Sequence, residues 1–186
     1  LWLDGKRPAA LLCLISKGEK WNFEFHSLLE EPLRSSDRGK PNWQPAAAAR
    51  AWVAVEGAVP EASRARQLAL RGIARRFEAS ETRQGEKFPL RLQDRPLYTY
   101  ADADNGVIDG GLFAMSYGTN PELLLQIEAR KGEDKPEWHV AFARLSAAEV
   151  IVQMATKEAW RADAIPPNSY KPADPYYAYN EVAAPE

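Results

Sequence analysis

The stretch Tyr117 to Ser146, YGTNPELLLQIEARKGEDKPEWHVAFARLS, is matched in shorter form by LDGKRPAALLCLISKGEKWNFEFHSLL from Leu3 to Leu29. Pro8 falls on Pro121, Leu11 and Leu12 on Leu124 and Leu125, and Leu14 on Ile127. After an insertion, Gly18 meets Gly132, and a longer turn then brings Trp21 onto Trp138, Phe25 onto Phe142 and Leu28 onto Leu145. Order, turn chemistry and aromatic positions agree together, so the chain reads as an internal duplication.

Each copy has the same physics. A Gly/Pro turn launches an apolar run, a charged Gly-containing turn follows, and the return segment alternates, with Trp21, Phe23 and Phe25 on one side and Trp138, Val140 and Phe142 on the corresponding side. Period-two patterning between turns is a β-hairpin, with Trp21 and Trp138 expected inward. Leu1–Leu3 and Leu112–Tyr117 supply a preceding strand in each copy. The expected fold is mainly β with one amphipathic helix (α+β): duplicated antiparallel hairpin or meander units forming a small sandwich or partly closed barrel. The repeat halves are residues 1–29 and 112–155, joined through a helix at 61–79, in a single β-rich domain of residues 1–160. A Pro/Tyr-rich extended tail occupies 161–186.

Between the repeats, residues 30–44 lose periodicity and carry Pro32, Pro41 and Gly39, which reads as a long loop pinned to the core by Trp43. Residues 45–60 are alanine-rich and then Trp-Val-Ala-Val, favouring a short strand at the end. Ala62, Ala65, Ala69, Ile73 and Phe77 recur at helical spacing, and Arg64, Arg66, Arg71, Arg75 and Arg76 outnumber Glu61 and Glu78 on that segment. Further strands are expected at 87–92, 97–100 and 148–155.

The tail combines Pro166, Pro167, Pro172 and Pro175 with Tyr170, Tyr176, Tyr177 and Tyr179. It either straps along its own domain or makes extended contacts to a neighbour. Those tyrosines, with Arg64, Arg71 and Arg75, are the candidate partner-binding residues.

Catalytic signatures are thin. A net charge of −2 gives no global reason to propose nucleic acid, no apolar run is long enough for a membrane span, and compartment stays open because a chain with one cysteine has no intrachain disulfide. Cys13, within LLCLI, reads as a small hydrophobe rather than a nucleophile. His26 and His139 are the only histidines, and with Cys13 they have no zinc spacing. Asp102, Asp104 and Asp109 surround Asn105 and Gly106, but in the wrong register for a calcium loop, so a polar turn is the better reading. Of the acids, Glu24, Glu122 and Glu128 are the candidates for paired-carboxylate hydrolysis. Glu128 stands where the first copy has Ile15, which suggests an exposed or interfacial place.

The segments RPLYTYAD, VIDGGLFAMSYGTNPELLLQIEAR and WHVAFARLS resemble a group of bacterial proteins, mostly from planctomycetes, with an L-x-x-x-P-L-Y-R-Y segment, an LDGALFAFVxGTDPEVLLLLEAR-like segment and a tryptophan-led strand. The likeness runs from about Leu1 to Trp160 and omits the tail. Thr99 departs from the pattern's Arg, and Met115 and Ser116 replace a more apolar pair. The resemblance implies a bacterial origin, and it brings no activity and no site residues.

Three functions follow. The first is a non-catalytic interaction or assembly subunit, without cofactor, whose partner is another protein or further copies of itself. The second is a carbohydrate- or ligand-binding domain, requiring Trp2, Trp43 and Trp52 to present aromatic faces. The third is a hydrolase built on Glu128 and a second acid.

Overall fold

The computed structural model describes residues 1–37, 40–46, 51–167 and 169–182. In chain order the strands are β1 (Trp2–Asp4), β2 (Arg7–Lys17), β3 (Lys20–Ser27), β4 (Ser35–Asp37), β5 (Lys40–Trp43) and β6 (Val53–Val55). Helix α1 (Ser63–Ala74) comes next, then β7 (Phe77–Arg83), β8 (Glu86–Leu92), β9 (Tyr98–Asp102), β10 (Val107–Tyr117), β11 (Asn120–Arg130), β12 (Glu137–Arg144), β13 (Glu149–Met154), β14 (Lys157–Ala162) and β15 (Tyr176–Val182). The fold is thus mostly β with one helix and repeated antiparallel units. It divides into two compact units: Leu1–Asp4, Pro8–Arg50 and Ile165–Glu186 form the first, Gly5–Arg7 and Ala51–Ala164 the second.

The duplication is written in the backbone register. In the first copy Leu12 pairs with Phe25, Leu14 with Phe23 and Ser16 with Trp21; in the second Leu125 pairs with Phe142, Ile127 with Val140 and Ala129 with Trp138. The preceding turns also correspond, with Gly5 and Gly118 at φ of 57° and 59°, a left-handed conformation that glycine adopts without a Cβ penalty. The copies therefore share their pairing as three-stranded meanders, β1-β2-β3 and β10-β11-β12. They do not share their burial. Trp138 is 1% exposed, whereas Trp21 is 42% exposed, which corrects the expectation of equivalent inward sites. The difference lies in the cover: α1 packs onto β10 and β11, and among the described residues of the first unit nothing comparable lies over Trp21.

In the second unit, the nine-stranded sheet runs β14-β13-β7-β8-β10-β11-β12-β6, with β9 pairing the other part of the β10 edge that β8 uses. The sheet forms a half-barrel-like, sandwich-like layer with α1 on one face. Leu70, Ile73 and Ala74, one turn of helix face, enter a core with Phe77, Phe113, Met115, Leu125, Val140, Phe142 and Val152. The helix is shorter than its sequence pattern suggests. Arg75 caps its C-terminus, and Phe77, expected on the helical stripe, instead begins β7, where Phe77, Ala79 and Glu81 alternate inward. The Gln84-Gly85 pair, both at positive φ, then turns the chain into β8 as a two-residue hairpin. Two further expectations fall short: residues 30–44 contain a small hairpin, β4-β5, and Lys157–Ala162 is a full strand paired with β13.

In the first unit, the sheet order is β1-β2-β3-β15. The Pro/Tyr segment is therefore an added strand of its own sheet, with Tyr176 opposite His26, Tyr177 opposite Phe25 and Tyr179 opposite Phe23. Four prolines upstream do not prevent this, because they precede the ladder and their carbonyls still accept: Ser27 N–H donates to Pro175 O at 2.9 Å and Gln44 N–H to Pro172 O at 2.8 Å. Trp43, 1% exposed, pins the loop as expected; its indole N–H donates to the Asp174 carbonyl at 3.0 Å.

Candidate functional site

Along β11 the face turned away from the α1 core carries Glu122, Leu124, Gln126 and Glu128. Glu128 is 0% exposed, so its substitution for Ile15 marks a buried charge rather than an exposed or interfacial one. Cross-strand register explains how it is held. Tyr100 on β9 pairs with Gly110 on β10, and Gly110 pairs with Glu128 on β11. Because Gly110 has no side chain, the Tyr100 ring crosses over it; a Cβ there would stand 2.5 Å from the ring. The phenol then donates to Glu128 Oε1 at 2.6 Å.

Gln126 Nε2 also donates to Oε1, at 3.1 Å, Arg130 Nε to Oε2 at 2.7 Å, and Arg7 Nη2 reaches Oε1 at 3.2 Å. The Arg130 guanidinium meanwhile sits 3.9 Å over the ring of Trp52. Burial, reinforced by the Glu128 charge, pushes the Tyr100 phenol well above its ordinary value. Burial lowers the Arg7 guanidinium, but the charge and hydrogen bond of Glu128, with smaller contributions from Tyr100 and Asp102, together outweigh it and the net direction is up. The Glu128 carboxylate is enclosed and accepts from Tyr100, Gln126, Arg130 and Arg7. His139 lies beside Glu128 in register on β12, half-buried, and is not one of its hydrogen-bonding partners.

A second buried cluster brings Glu81 and Glu122 together around Arg83. Arg83 Nη2 lies 2.7 Å from Glu81 Oε1 and 2.8 Å from Glu122 Oε1. Asn120 Nδ2 donates to Glu122 at 2.8 Å, and Ser146 Oγ to Glu81 at 3.2 Å. Arg144 fastens the adjoining chain, donating to the carbonyls of Ser146, Ala148 and Asp163. Burial and, after the Asn120 hydrogen bond that opposes it, the charge of Glu81 push the Glu122 carboxyl up from the usual range. Glu81 falls just past the helix expected at 61–79, in a segment with no expected element; as a strand, its alternation puts Glu81 on the buried face with Phe77 and Ala79.

The acidic turn is split between different tasks. Asp102 accepts from Asn105 at 2.7 Å around a 3-10 turn at Ala103–Asn105, while Asp109 accepts from Arg66 at 2.6 Å and from Gln67 at 2.8 Å on α1. Glu24 accepts from Asn22 at 2.9 Å, and Cys13 is half-buried on β2.

The candidate partner residues fall into two groups. Arg64, Arg71 and Arg75 are exposed on α1 in the second unit, with Arg75 paired to Asp94 at 3.1 Å. The tyrosines belong to the first unit, where they build an aromatic face. Tyr179 stacks on Phe23 at 4.8 Å and 4°, Phe25 lies 5.9 Å from Tyr179 and 6.4 Å from Tyr177, and Trp43 closes on Phe25 at 5.2 Å. Tyr176 and Tyr170 meet edge to face at 6.1 Å. At one end of the stacked face, Leu14 and Trp21 stand open to solvent. Trp2 is exposed as the ligand-binding reading requires, whereas Trp43 is buried and Trp52 is half-buried beneath Arg130.

Comparison with known proteins adds no relative: no family model, no curated protein and no solved structure matches the chain.

Proposed function

We propose that this chain is a non-catalytic interaction and assembly module, and that its docking element is the β15 side of the four-stranded sheet. The observation that carries this reading is the position of β15. It pairs with β3 on one side and, among the described residues, no strand lies on its other side. Next to it on β3, Trp21 is exposed, and Leu14 is exposed on β2. An unpaired strand edge beside open apolar side chains is a template for an added strand.

The partner of first choice is a second copy of the chain, because identical edges pair antiparallel about a two-fold axis without further adaptation. Another protein offering an extended segment satisfies the same chemistry. The tyrosines act here by shaping the sheet rather than as a free adhesive arm, and the exposed Arg64 and Arg71 would contribute where the partner surface is acidic. The buried carboxylates support no hydrolytic step, since Glu128, Glu81 and Glu122 are each held by arginine away from solvent.

Sedimentation velocity of the full chain across a wide concentration range tests the reading. Concentration-dependent dimers, lost in the Leu14→Lys/Trp21→Lys variant with its circular dichroism unchanged, are expected. A full chain that stays monomeric at every concentration and binds no extended peptide overturns it.

A further inference from the structure

The first unit contains a cavity of about 410 Å³ that the assembly reading does not use. Its volume falls in the range of ordinary small-ligand sites. One wall is aromatic: Trp2 lies 6.4 Å from Phe25 and within 14° of parallel, Trp43 leans on Phe25 at 5.2 Å, and of the three only Trp2 offers an open ring face. Trp2 is 50% exposed and stands at the mouth, while Phe25 and Trp43 are buried behind it. The rest of the lining is aliphatic on one part, Leu3, Ala9, Ala10 and Leu33, and polar where β4 and β5 contribute Ser35, Ser36 and Asn42, and Arg34 is the single charged residue among those that line it.

These hydrogen-bonding groups have capacity to spare. Ser35 Oγ is 2.6 Å from Asn42 Oδ1 and 2.9 Å from the Trp43 carbonyl, yet a hydroxyl has one proton. Turning the Asn42 amide end for end lets its NH2 donate to Ser35 Oγ while the hydroxyl donates to Trp43 O. The Asn42 carbonyl oxygen and its second N–H then serve a ligand. Ser36, exposed on the same wall, adds a hydroxyl.

We infer that this cavity binds a carboxylate-bearing sugar ring, a uronate unit of an acidic glycan. The class follows from the wall chemistry. A pyranose has an apolar C–H face, which suits an aromatic wall, and a rim of hydroxyls, which suits serine and asparagine. Neither feature asks for a charge, so Arg34 decides between sugars: its planar fork donates two parallel hydrogen bonds to a carboxylate. The half-open Trp2 allows the neighbouring sugar units of a chain to continue outward. This inference stands on the cavity alone and is independent of the β15 edge.

Titration of the full chain with oligogalacturonate, and separately with neutral gluco-oligosaccharides of equal length, tests it through tryptophan fluorescence and calorimetry. Saturable binding of oligogalacturonate is expected, at least tenfold tighter than the neutral sugar. Trp2→Ala should weaken both ligands more than tenfold, and Arg34→Gln should remove the preference for the acid while leaving neutral binding in place. Both side chains are exposed, so the fold is retained, and unchanged circular dichroism checks that. Equal affinity for the two sugars overturns the assignment of Arg34. Absence of saturable binding, or binding unaffected by Trp2→Ala, overturns the site.

Discussion

The Tyr100 hydroxyl donates to Glu128 Oε1 at 2.6 Å across a strand that carries no side chain at the crossing point. Tyr100→Phe removes that donor and is expected to cost about 1.5–3 kcal/mol, the range for a hydrogen bond to a charged group. Glu128→Ala strands the phenol and two guanidinium groups together. Because both arginines keep roughly a quarter of their side chains in solvent, the expected loss is near the low end for a broken buried pair, about 3 kcal/mol. Urea denaturation of the two variants checks the order, Glu128→Ala being the more damaging.

Gly110 has a second consequence for the same site. A methyl at that position would fall 2.5 Å from the Tyr100 ring, so Gly110→Ala must displace the ring and is expected to cost about 2 kcal/mol through overpacking. Combining it with Tyr100→Ala should bring little further loss over Tyr100→Ala alone. A double-mutant cycle measures this, and additive costs would refute the crossing as the reason for glycine.

The two repeat tryptophans should respond differently to truncation. Trp138→Ala empties a fully enclosed place and is expected to cost about 3–5 kcal/mol. Trp21→Ala, on the open end of the β3 face, should stay within about 1 kcal/mol. Thermal melts of the pair decide it, and equal losses would mean that Trp21 is covered in solution.

Glu122 sets a pH dependence with a definite sign. Burial raises its carboxyl in the folded chain above the ordinary 4.5. The ionised form is therefore disfavoured by folding, and this unfavourable contribution is absent below the unfolded value. It grows as pH rises from there to the folded value, and is constant above it. Glu122→Gln, which keeps the Asn120 and Arg83 contacts available, should flatten the stability profile just above pH 4.5. Midpoints of urea unfolding measured through that window, for both proteins, test the prediction. An unchanged slope would assign the titration to another group.

Much of the fold was readable because turns and period-two patterning act locally. The glycine turns, the aligned Leu12–Phe25 and Leu125–Phe142 pairs and the strand at Val53–Val55 all follow from neighbours a few residues apart. The strand at Phe77–Arg83 did not, since arginine and glutamate suit either state and only pairing with β8 and β13 selects extension. The tail was open between two outcomes for a similar reason: its prolines forbid a helix but allow an extended segment, and only pairing with β3 makes it a strand of its own sheet.

Sequence alone determined the local menu, two meanders of equal register and one amphipathic helix, because those depend on alternation, spacing and turn residues. Tertiary structure alone decided which copy is covered, leaving Trp138 enclosed and Trp21 open from the same sequence position. It also decided where charge is buried. Nothing local marks Glu128 as different from any strand glutamate; it becomes tolerable in the interior only when Tyr100, Gln126, Arg7 and Arg130 converge on it from three strands. Desolvation of a carboxylate and its repayment by donors are properties of that convergence, and donors more than a hundred residues away along the chain, such as Arg7, leave no trace in the residues around Glu128.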